Sequence, residues 1–393
     1  MDTKGEEVHY LDACFREFGI PVLTLDAGIL GESPFPVTIT REEVARAAGM
    51  TLTDVQNIGD EGKAIAMMVK GAVRWSQDLF RGGRIQGIIG LGGSMGSTLG
   101  TGVMRTLPVG FPKVMISTMA SSNTRPFIGS KDILMLYSVC DISGINRILG
   151  KVLRNGALAL VGMIKGLKDF PPPTTPLIAL STLGTTEACS RRVRKAFEDK
   201  GYEVIVFHAQ GSGGAAMEEM IQDEEMAGVI DLSLSEIGDH QFGGDYDAGP
   251  DRGTAALQKG TPTVLVPGNI DFLGGGPLKI AQQRFPGRIL HVHNAAVTAV
   301  RTTKREIEVV AKILARYCNQ AKGPVSCIVP TGGFSAFDLQ GGPFYDPDAS
   351  KVCAATFKRH LSPSVSLQIL PYHINDPEFS EAVIEAMNGL LRN

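Results

Sequence analysis

The sequence predicts an α/β protein of two Rossmann-like three-layer domains, with mostly parallel sheets facing a central cleft. Short apolar runs alternate with stretches of helical period along the whole chain, the rhythm of a parallel sheet covered on both faces. That rhythm breaks at KDFPPPTTP (168–176), where four prolines and no apolar periodicity predict an extended connector. With 393 residues the chain is long enough for two or three domains, and the single break divides it into 1–170 and 171–393.

The first half opens with a helical pattern near 5–18, followed by the branched apolar run PVLTL (21–25) as a strand. Helices are expected near 41–48 and 60–80, and a strand over 85–90 leads into a helix near 97–106. Strands over 113–118 (KVMIST) and 133–139 and a helix near 145–166 complete this half. Beyond the connector the order resumes with strand 177–182, helix 187–200, strand 203–207, helix 214–222 and strand 228–234. Later strands near 263–266, 289–292, 325–330 and 365–370 alternate with helices near 303–320, 350–361 and 377–391.

Charged residues at 20% and hydrophobic ones at 43% make an ordinary globular balance, which argues against disorder. The 47 glycines are nearly double the usual share and gather after apolar runs, so backbone-lined sites are the places to inspect. A net charge of −3 and a pI near 6.2 supply no pull toward nucleic acid or an anionic membrane. No apolar run approaches the roughly 20 residues that span a bilayer, and the N-terminus MDTKGEE is charged where a signal peptide is apolar. Six cysteines without C-x-x-C read as buried thiols of a reduced, cytoplasmic protein. The apolar face of the helix near 60–80 points to a homodimer or higher homo-oligomer.

In parallel sheets ligands sit beyond the carboxyl ends of strands. In the first half those ends carry Thr3 and Lys4, Asp26, the loop with Gly92, Gly93, Ser94, Gly96 and Ser97, and then Ser117 and Thr118. Backbone amides, hydroxyls and one lysine suit nucleotide phosphates, and Asp26 suits a ribose hydroxyl. The stretch GIIGLGGSMGSTLG (87–100) reads as a strand, a tight loop and a helix start, fit either for an anion or for close strand-to-helix packing. It satisfies neither G-x-x-x-x-G-K-[ST] nor G-x-G-x-x-G.

In the second half the ends carry Thr185, His208, Gly211 and Gly213, Glu236 with Asp239 and His240, His291, His293 and Asn294, and His373. Here Glu236, Asp239, His240 and His293 are the candidate catalytic groups, by acid/base chemistry. Thr185, His208, Gly211, Gly213 and Asn294 are the candidate substrate contacts. A divalent metal held by Asp239, His240, His291, His293 and His373 is the competing reading, although none has H-E-x-x-H spacing. HAQGSGGAA (208–216) meets G-x-G-x-x-A through Gly211, Gly213 and Ala216, with Asp231 20 residues after Gly211 but inside an apolar run, poorly placed for a ribose. DYDAGPDR (245–252) lacks the glycine and the final glutamate of a calcium loop.

Taken together, DTKGEE (2–7), GLGGSMGS (90–97), STMAS (117–121), TRPFIG (124–129), YEVIVFHAQGSGGAAMEEMI (202–221), AGPDR (248–252), HVHN (291–294), GGPFYDP (341–347) and HIND (373–376) form an ordered series. It resembles the tomato mosaic virus resistance protein-like ATP-binding family, long known only as an uncharacterised family. The resemblance spans essentially the whole chain and implies two α/β domains, the first binding ATP. Plant members carry this region ahead of a TIM barrel and interfere with tobamovirus RNA replication; stand-alone members are typical of bacteria and fungi. No settled reaction comes with the family, and the antiviral role is not carried over. Two departures stand out. Related sequences place an apolar strand before DTKG, most of which a chain starting at Met1 lacks. Met95 also stands where a smaller residue is usual, which narrows the pocket or points into the core.

The expected function is therefore that of an ATP-dependent enzyme acting on a small acidic metabolite in the cleft, by phosphoryl transfer or carboxylate activation, with Mg²⁺ neutralising phosphate charge. A nucleotide-sensing binding protein without catalysis is the alternative, and a metal-dependent hydrolase or lyase the third.

Overall fold

The computed structural model describes residues 3–167 and 175–392, so Asp2 and most of the connector at 168–176 lie outside the described residues. The chain is a two-domain α/β protein that divides into compact units of Met1–Phe170 and Pro171–Asn393.

In the N-terminal unit Lys113–Ser117 lies between Ile88–Gly92 and Leu134–Tyr137, all parallel, with Ile88 opposite Lys113 and Val114 opposite Leu134. Strand periodicity sends Val114 and Ile116 to one face and Met115 to the other. The first pair packs on Leu11, Phe15, Leu149, Leu153 and Ala157 of helices Gly5–Glu17 and Leu149–Gly166. Met115 packs on Met104 of helix Ser94–Met104. Helix Glu61–Arg81 places Ala64, Met68, Ala72 and Leu79 in a core with Val44, Ala45 and Val103. The apolar face that pointed to oligomerisation is thus covered within its own unit.

PVLTL (21–25) does not join the sheet and makes only the isolated bridge Leu25 to Ile39. Pro21 has no N–H to give, and beside the backbone bonds Ile39 N–H to Thr24 O and Asp26 N–H to Ile39 O (both 2.9 Å) two threonine hydroxyls join in: Thr24 N–H donates to Thr38 Oγ1 (3.2 Å) and Thr38 N–H to Thr24 Oγ1 (2.9 Å). The helix expected near 145 starts at Leu149, because Asn146 Oδ1 accepts from Ile148 and Leu149 N–H and closes a turn first.

The C-terminal unit is built on a six-stranded parallel sheet, in the order Ser366–Leu370, Val325–Pro330, Thr263–Leu265, Met226–Asp231, Leu177–Thr182, Glu203–His208. Ile178, Leu180, Ile230, Val264 and Ile328 face helices Glu187–Glu198 and Pro377–Leu390. Leu265, Cys327 and Val329 face helices Lys304–Asn319 and Pro347–His360. The unit's first strand has its second on one side and its third on the other, so strand order reverses between Leu177–Thr182 and Met226–Asp231. The segment near 289–292 belongs to no parallel sheet: Leu290–Val292 pairs antiparallel with Thr298–Arg301, which pairs antiparallel with Phe272–Gly274. All six cysteines are free thiols. Among the described residues no helix is long and apolar enough to cross a membrane.

Candidate functional site

The glycine cluster of the N-terminal unit has two roles. A Cβ on Gly92 would lie 2.8 Å from Gly96 Cα, one on Gly96 3.0 Å from Leu91 O, and one on Gly100 2.9 Å from Met115 Sδ. These glycines let helix Ser94–Met104 lie against strand Ile88–Gly92. Gly93 differs: the nearest atom to its Cβ position is Thr118 Oγ1, at 3.7 Å. It is the N-cap of Ser94–Met104 and supplies no side-chain cap, so the N–H groups of Ser94, Met95 and Gly96 have no partner within the helix.

Around that uncapped end the expected residues take different places. Ser94 is exposed and Thr118 half-buried. Ser97 and Ser117 are fully buried and join hydroxyl to hydroxyl at 2.6 Å, with Ser97 Oγ also bonding Gly93 O (2.7 Å), so they fasten the helix to the central strand. Met95 is 38% exposed and does not enter the core. Lys4 Nζ donates to Ile142 O, in the loop after the third strand, and Thr3 beside it is exposed. Asp26 is buried and its Oδ1 accepts from Gly28 N–H (2.9 Å), closing a turn.

In the C-terminal unit the G-x-G-x-x-A loop opens helix Ser212–Asp223 with Gly211 at φ 84°, a left-handed conformation that favours glycine. The anion at this helix N-terminus is Glu236. Its Oε1 accepts from Gly211 N–H and from Gly214 N–H (3.1 Å), and a Cβ on Gly214 would collide with its carboxylate. A pyrophosphate has no room there, which removes the dinucleotide reading of Gly211 and Gly213 on steric and electrostatic grounds. Glu236 Oε2 takes Arg252 Nε at 2.5 Å. The Arg252 fork clasps Asp231 (2.6 and 2.7 Å) and Glu218 (3.1 Å), all four side chains being buried. Burial pushes the carboxyls of Glu218 and Glu236 up while Arg252 pulls them down. Burial also opposes the charge of Arg252, and its carboxylates outweigh that and hold it charged. Asp231, Glu218 and Arg252 form with Glu236 a single buried network that fixes two loops.

Helix Ser235–Phe242 carries Glu236, Asp239 and His240. Asp239 is fully buried; Oδ1 accepts from Tyr246 and Gly274 N–H, both at 2.9 Å, and Oδ2 has no partner among the described residues. Burial pushes its carboxyl up to about 8, against those two donors. His240 lies four residues past Glu236 and therefore on the same helix face. Its Nδ1 meets Asp247 Oδ1 at 2.9 Å, and its side chain is 32% exposed. A carboxylate on Nδ1 orients the ring and leaves Nε2 as the reacting nitrogen, the arrangement of a general base. Asp247 escapes a reading of the sequence because DYDAGPDR registers there only as a failed calcium loop.

The remaining histidines are dispersed. His208 and His293 are exposed, and His293 and Asn294 sit on a surface turn closed by His293 N–H to Val297 O (3.0 Å) and Ala296 N–H to Asn294 Oδ1 (2.9 Å). His291 packs on Phe337, with ring centroids 4.7 Å apart. His373 is buried, its Nε2 donating to Ser335 O (2.9 Å) and its Nδ1 accepting from Asn375 N–H (3.1 Å). Both nitrogens are therefore committed. Among the described residues no group of three or more His, Cys, Asp and Glu is gathered to hold a metal ion. Thr185 Oγ1 accepts from Asn269 Nδ2 at 2.5 Å; the sequence marks Pro267-Gly268-Asn269 as a polar strand end, and only the fold joins it to Thr185.

Residues 1–169 match the N-terminal domain and residues 175–391 the C-terminal domain of the uncharacterised protein family UPF0261. A UPF0261 protein of Clostridium tetani is 38% identical over 392 residues, spanning 100% of this chain and 97% of that protein. One from Mesorhizobium japonicum is 35% identical over 385 residues, 97% and 95% of the two chains. The ToMV resistance protein Tm-1(GCR237) of Solanum lycopersicum is 36% identical over 332 residues, 83% of this chain but 44% of that protein.

Proposed function

The chain belongs to the uncharacterised protein family UPF0261 through both of its domains, and we propose that its N-terminal domain binds ATP while its C-terminal domain supplies a general base to a small acidic metabolite. The observation that carries the nucleotide reading is the open, uncapped N-terminus of helix Ser94–Met104 at Gly93, on the carboxyl edge of a parallel sheet beside Thr118. Its free N–H groups and helix dipole suit phosphate oxygens, and Mg²⁺ would share the phosphate charge. The pair His240 and Asp247 favours an enzyme over a sensor, because an oriented imidazole handles the proton that phosphoryl transfer or carboxylate activation must move. Glu236 and Asp239 support that helix from beneath.

Calorimetry of the full chain with ATP, with and without Mg²⁺ and beside NAD, tests the reading against Gly93→Asp. An N-cap aspartate puts its own carboxylate on the N–H groups a phosphate would use, and it changes helix stability by only a few tenths of a kcal/mol relative to glycine. Loss of ATP binding in a variant that melts normally is the expected result; ATP binding that is equal in both proteins, or absent from the wild type, overturns it. ATP that binds and is never consumed with any small acid selects the sensor instead.

A further inference from the structure

The three short antiparallel strands of the C-terminal unit, Phe272–Gly274, Leu290–Val292 and Thr298–Arg301, are seated on the carboxyl ends of its parallel strands. Leu183 and Ala209, which follow strands Leu177–Thr182 and Glu203–His208, pack with Phe272 and Ala299 of this insertion and with Phe344. Those ends lie beside the reversal of strand order, where open α/β sheets hold ligands. Phe272 also meets the rings of Phe337 (centroids 5.4 Å apart) and Phe344 (6.4 Å), and His291, on another strand of the insertion, packs on Phe337. The insertion therefore covers the edge, and what fastens it controls access.

The fastening is polar and buried. Asp271 immediately precedes strand Phe272–Gly274, and Arg301 ends strand Thr298–Arg301; Arg301 Nη1 and Thr302 N–H both donate to Asp271 O (2.9 and 3.0 Å). The loop after Val325–Pro330 supplies Ser335, whose Oγ donates to Asp271 Oδ2 (2.6 Å), and Asp338, whose Oδ1 stands 3.7 Å from Arg301 Nη2. Asp271, Arg301 and Asp338 are all buried. Asp338 accepts Phe334 N–H on Oδ2 (3.2 Å) and Asp346 N–H on Oδ1 (3.1 Å). By contrast, Asp271 Oδ1 and Arg301 Nη2 have no hydrogen-bond partner among the described residues.

Neighbouring charges are spoken for. Arg288 reaches Arg301 O but pairs with Glu306 (2.6 Å), and Asp346 faces Lys304 (3.7 Å). His373 touches Ser335 O through Nε2 and adds no charge while its Nδ1 accepts from Asn375 N–H. Two buried carboxyls thus share one guanidinium, and the cluster is balanced only when one of them keeps a proton. The hydrogen bonds say which. Asp338 receives a donor on each oxygen, as an ion does, whereas Asp271 has a bare oxygen on which a proton can sit. Burial and the Asp338 carboxylate push the Asp271 carboxyl up from 3.8 to about 7, against Arg301 and Ser335. Burial raises Asp338 as well, with Arg301 opposing it.

We propose that Asp271, Asp338 and Arg301 form a proton-operated latch: with one proton in the acid pair the insertion is locked over the strand ends, and loss of that proton loosens it and opens the edge. The latch governs access to the C-terminal edge and depends neither on ATP nor on His240. An open insertion leaves Asp271 in water at its ordinary value, so the closed form binds the proton more tightly. Closure is strongest below about pH 4 and weakens as pH rises to about 7.

Amide hydrogen exchange of the full chain from pH 4.5 to 8, corrected for the intrinsic rate, tests the latch. Gly275, Thr298 and Thr302, whose N–H groups bond within the insertion, should open more readily than Val229 and Thr263 of the parallel sheet. Their protection should fall about tenfold or more between pH 5 and 7. Asp239 accepts from Gly274 N–H and titrates in an overlapping range, so the series is repeated in Asp239→Asn, where the fall should persist. Adding Asp271→Asn should abolish it. Ser335→Ala takes a donor from the charged form and should carry the fall to higher pH; it decides the question if Asp271→Asn does not fold. A fall of equal size in the double variant, or none in the wild type, overturns the latch. Insertion amides that open only together with Val229 and Thr263 overturn the cover.

Discussion

Replacing Asp239 by asparagine should make the protein more stable at alkaline pH and leave it unchanged in acid. Asparagine retains an oxygen for the Tyr246 and Gly274 N–H groups but cannot ionise, whereas the aspartate is fully buried with Oδ2 unpartnered among the described residues. Burial raises its carboxyl from 3.8 to about 8, so the native state keeps a proton that the unfolded chain releases. Its stabilising effect is whole below about pH 4 and is lost as pH rises to about 8. That rise, at about 1.4 kcal/mol for each tenfold change in proton affinity, sets a ceiling of about 6 kcal/mol. Water entering beside the ionised group reduces this, and about 2–4 kcal/mol is expected at pH 8. For a domain of this size that raises the melting temperature of Asp239→Asn by roughly 5–10 °C over the wild type. Scanning calorimetry of both proteins from pH 4 to 9 at constant ionic strength is the assay. Melting curves separated by a constant interval across that range would refute the reasoning. Catalytic turnover that falls while stability rises would place Asp239 among the groups that serve function at the expense of the fold.

Three further outcomes follow from the same structure. Arg252→Met leaves Glu218, Asp231 and Glu236 buried without their cation and should cost about 3–5 kcal/mol; denaturant titrations should show less loss at pH 5 than at pH 8, because protonated carboxyls no longer repel, and an equal loss would contradict the network. Gly96→Ala should destabilise by about 1–2 kcal/mol, since its Cβ meets Leu91 O at 3.0 Å, while Gly162→Ala, on a helix face with no atom within 4 Å, should stabilise by about 0.5–1 kcal/mol in the same melts. His240→Gln should lower ATP-dependent turnover about 10²–10⁴-fold and Asp247→Asn less, with both within about 0.5 kcal/mol of wild-type stability; unchanged turnover would remove the base.

Much of the architecture was legible because it rests on period and punctuation. The buried runs 177–182 and 325–330 and the amphipathic stretch 304–319 appear as read. The antiparallel insertion was not legible, because strands of three or four residues such as Phe272–Gly274 and Thr298–Arg301 are too short to show alternation. Helix Ser235–Phe242 hid for a different reason. Its sequence SEIGDHQF offers only Ile237 and Phe242 to the core, and its burial also takes in Glu236 and Asp239, whose partners Arg252, Gly211, Tyr246 and Gly274 lie in other segments of the chain. Burial of a charged residue depends on a partner elsewhere in the fold, so local pattern cannot announce it. The same holds for the buried Asn269, whose partners Thr185 and Ser233 lie at the ends of two other strands.

The two glycine-rich turns show how far spacing alone misleads. The better match to a dinucleotide fingerprint, at 211–216, is closed because Glu236 supplies the anion its helix dipole attracts. The poorer match, at 90–97, has most of its glycines committed to helix packing, yet its N-cap stands open at Gly93. In both turns a helix N-terminus follows a parallel strand, and both are electrostatically competent. What separates them is whether the chain brings its own carboxylate. That carboxylate comes from 25 residues downstream of Gly211, beyond an intervening helix and strand. A glycine motif therefore reports that backbone can approach something closely, and only the third dimension decides whether that something is another part of the protein or a ligand.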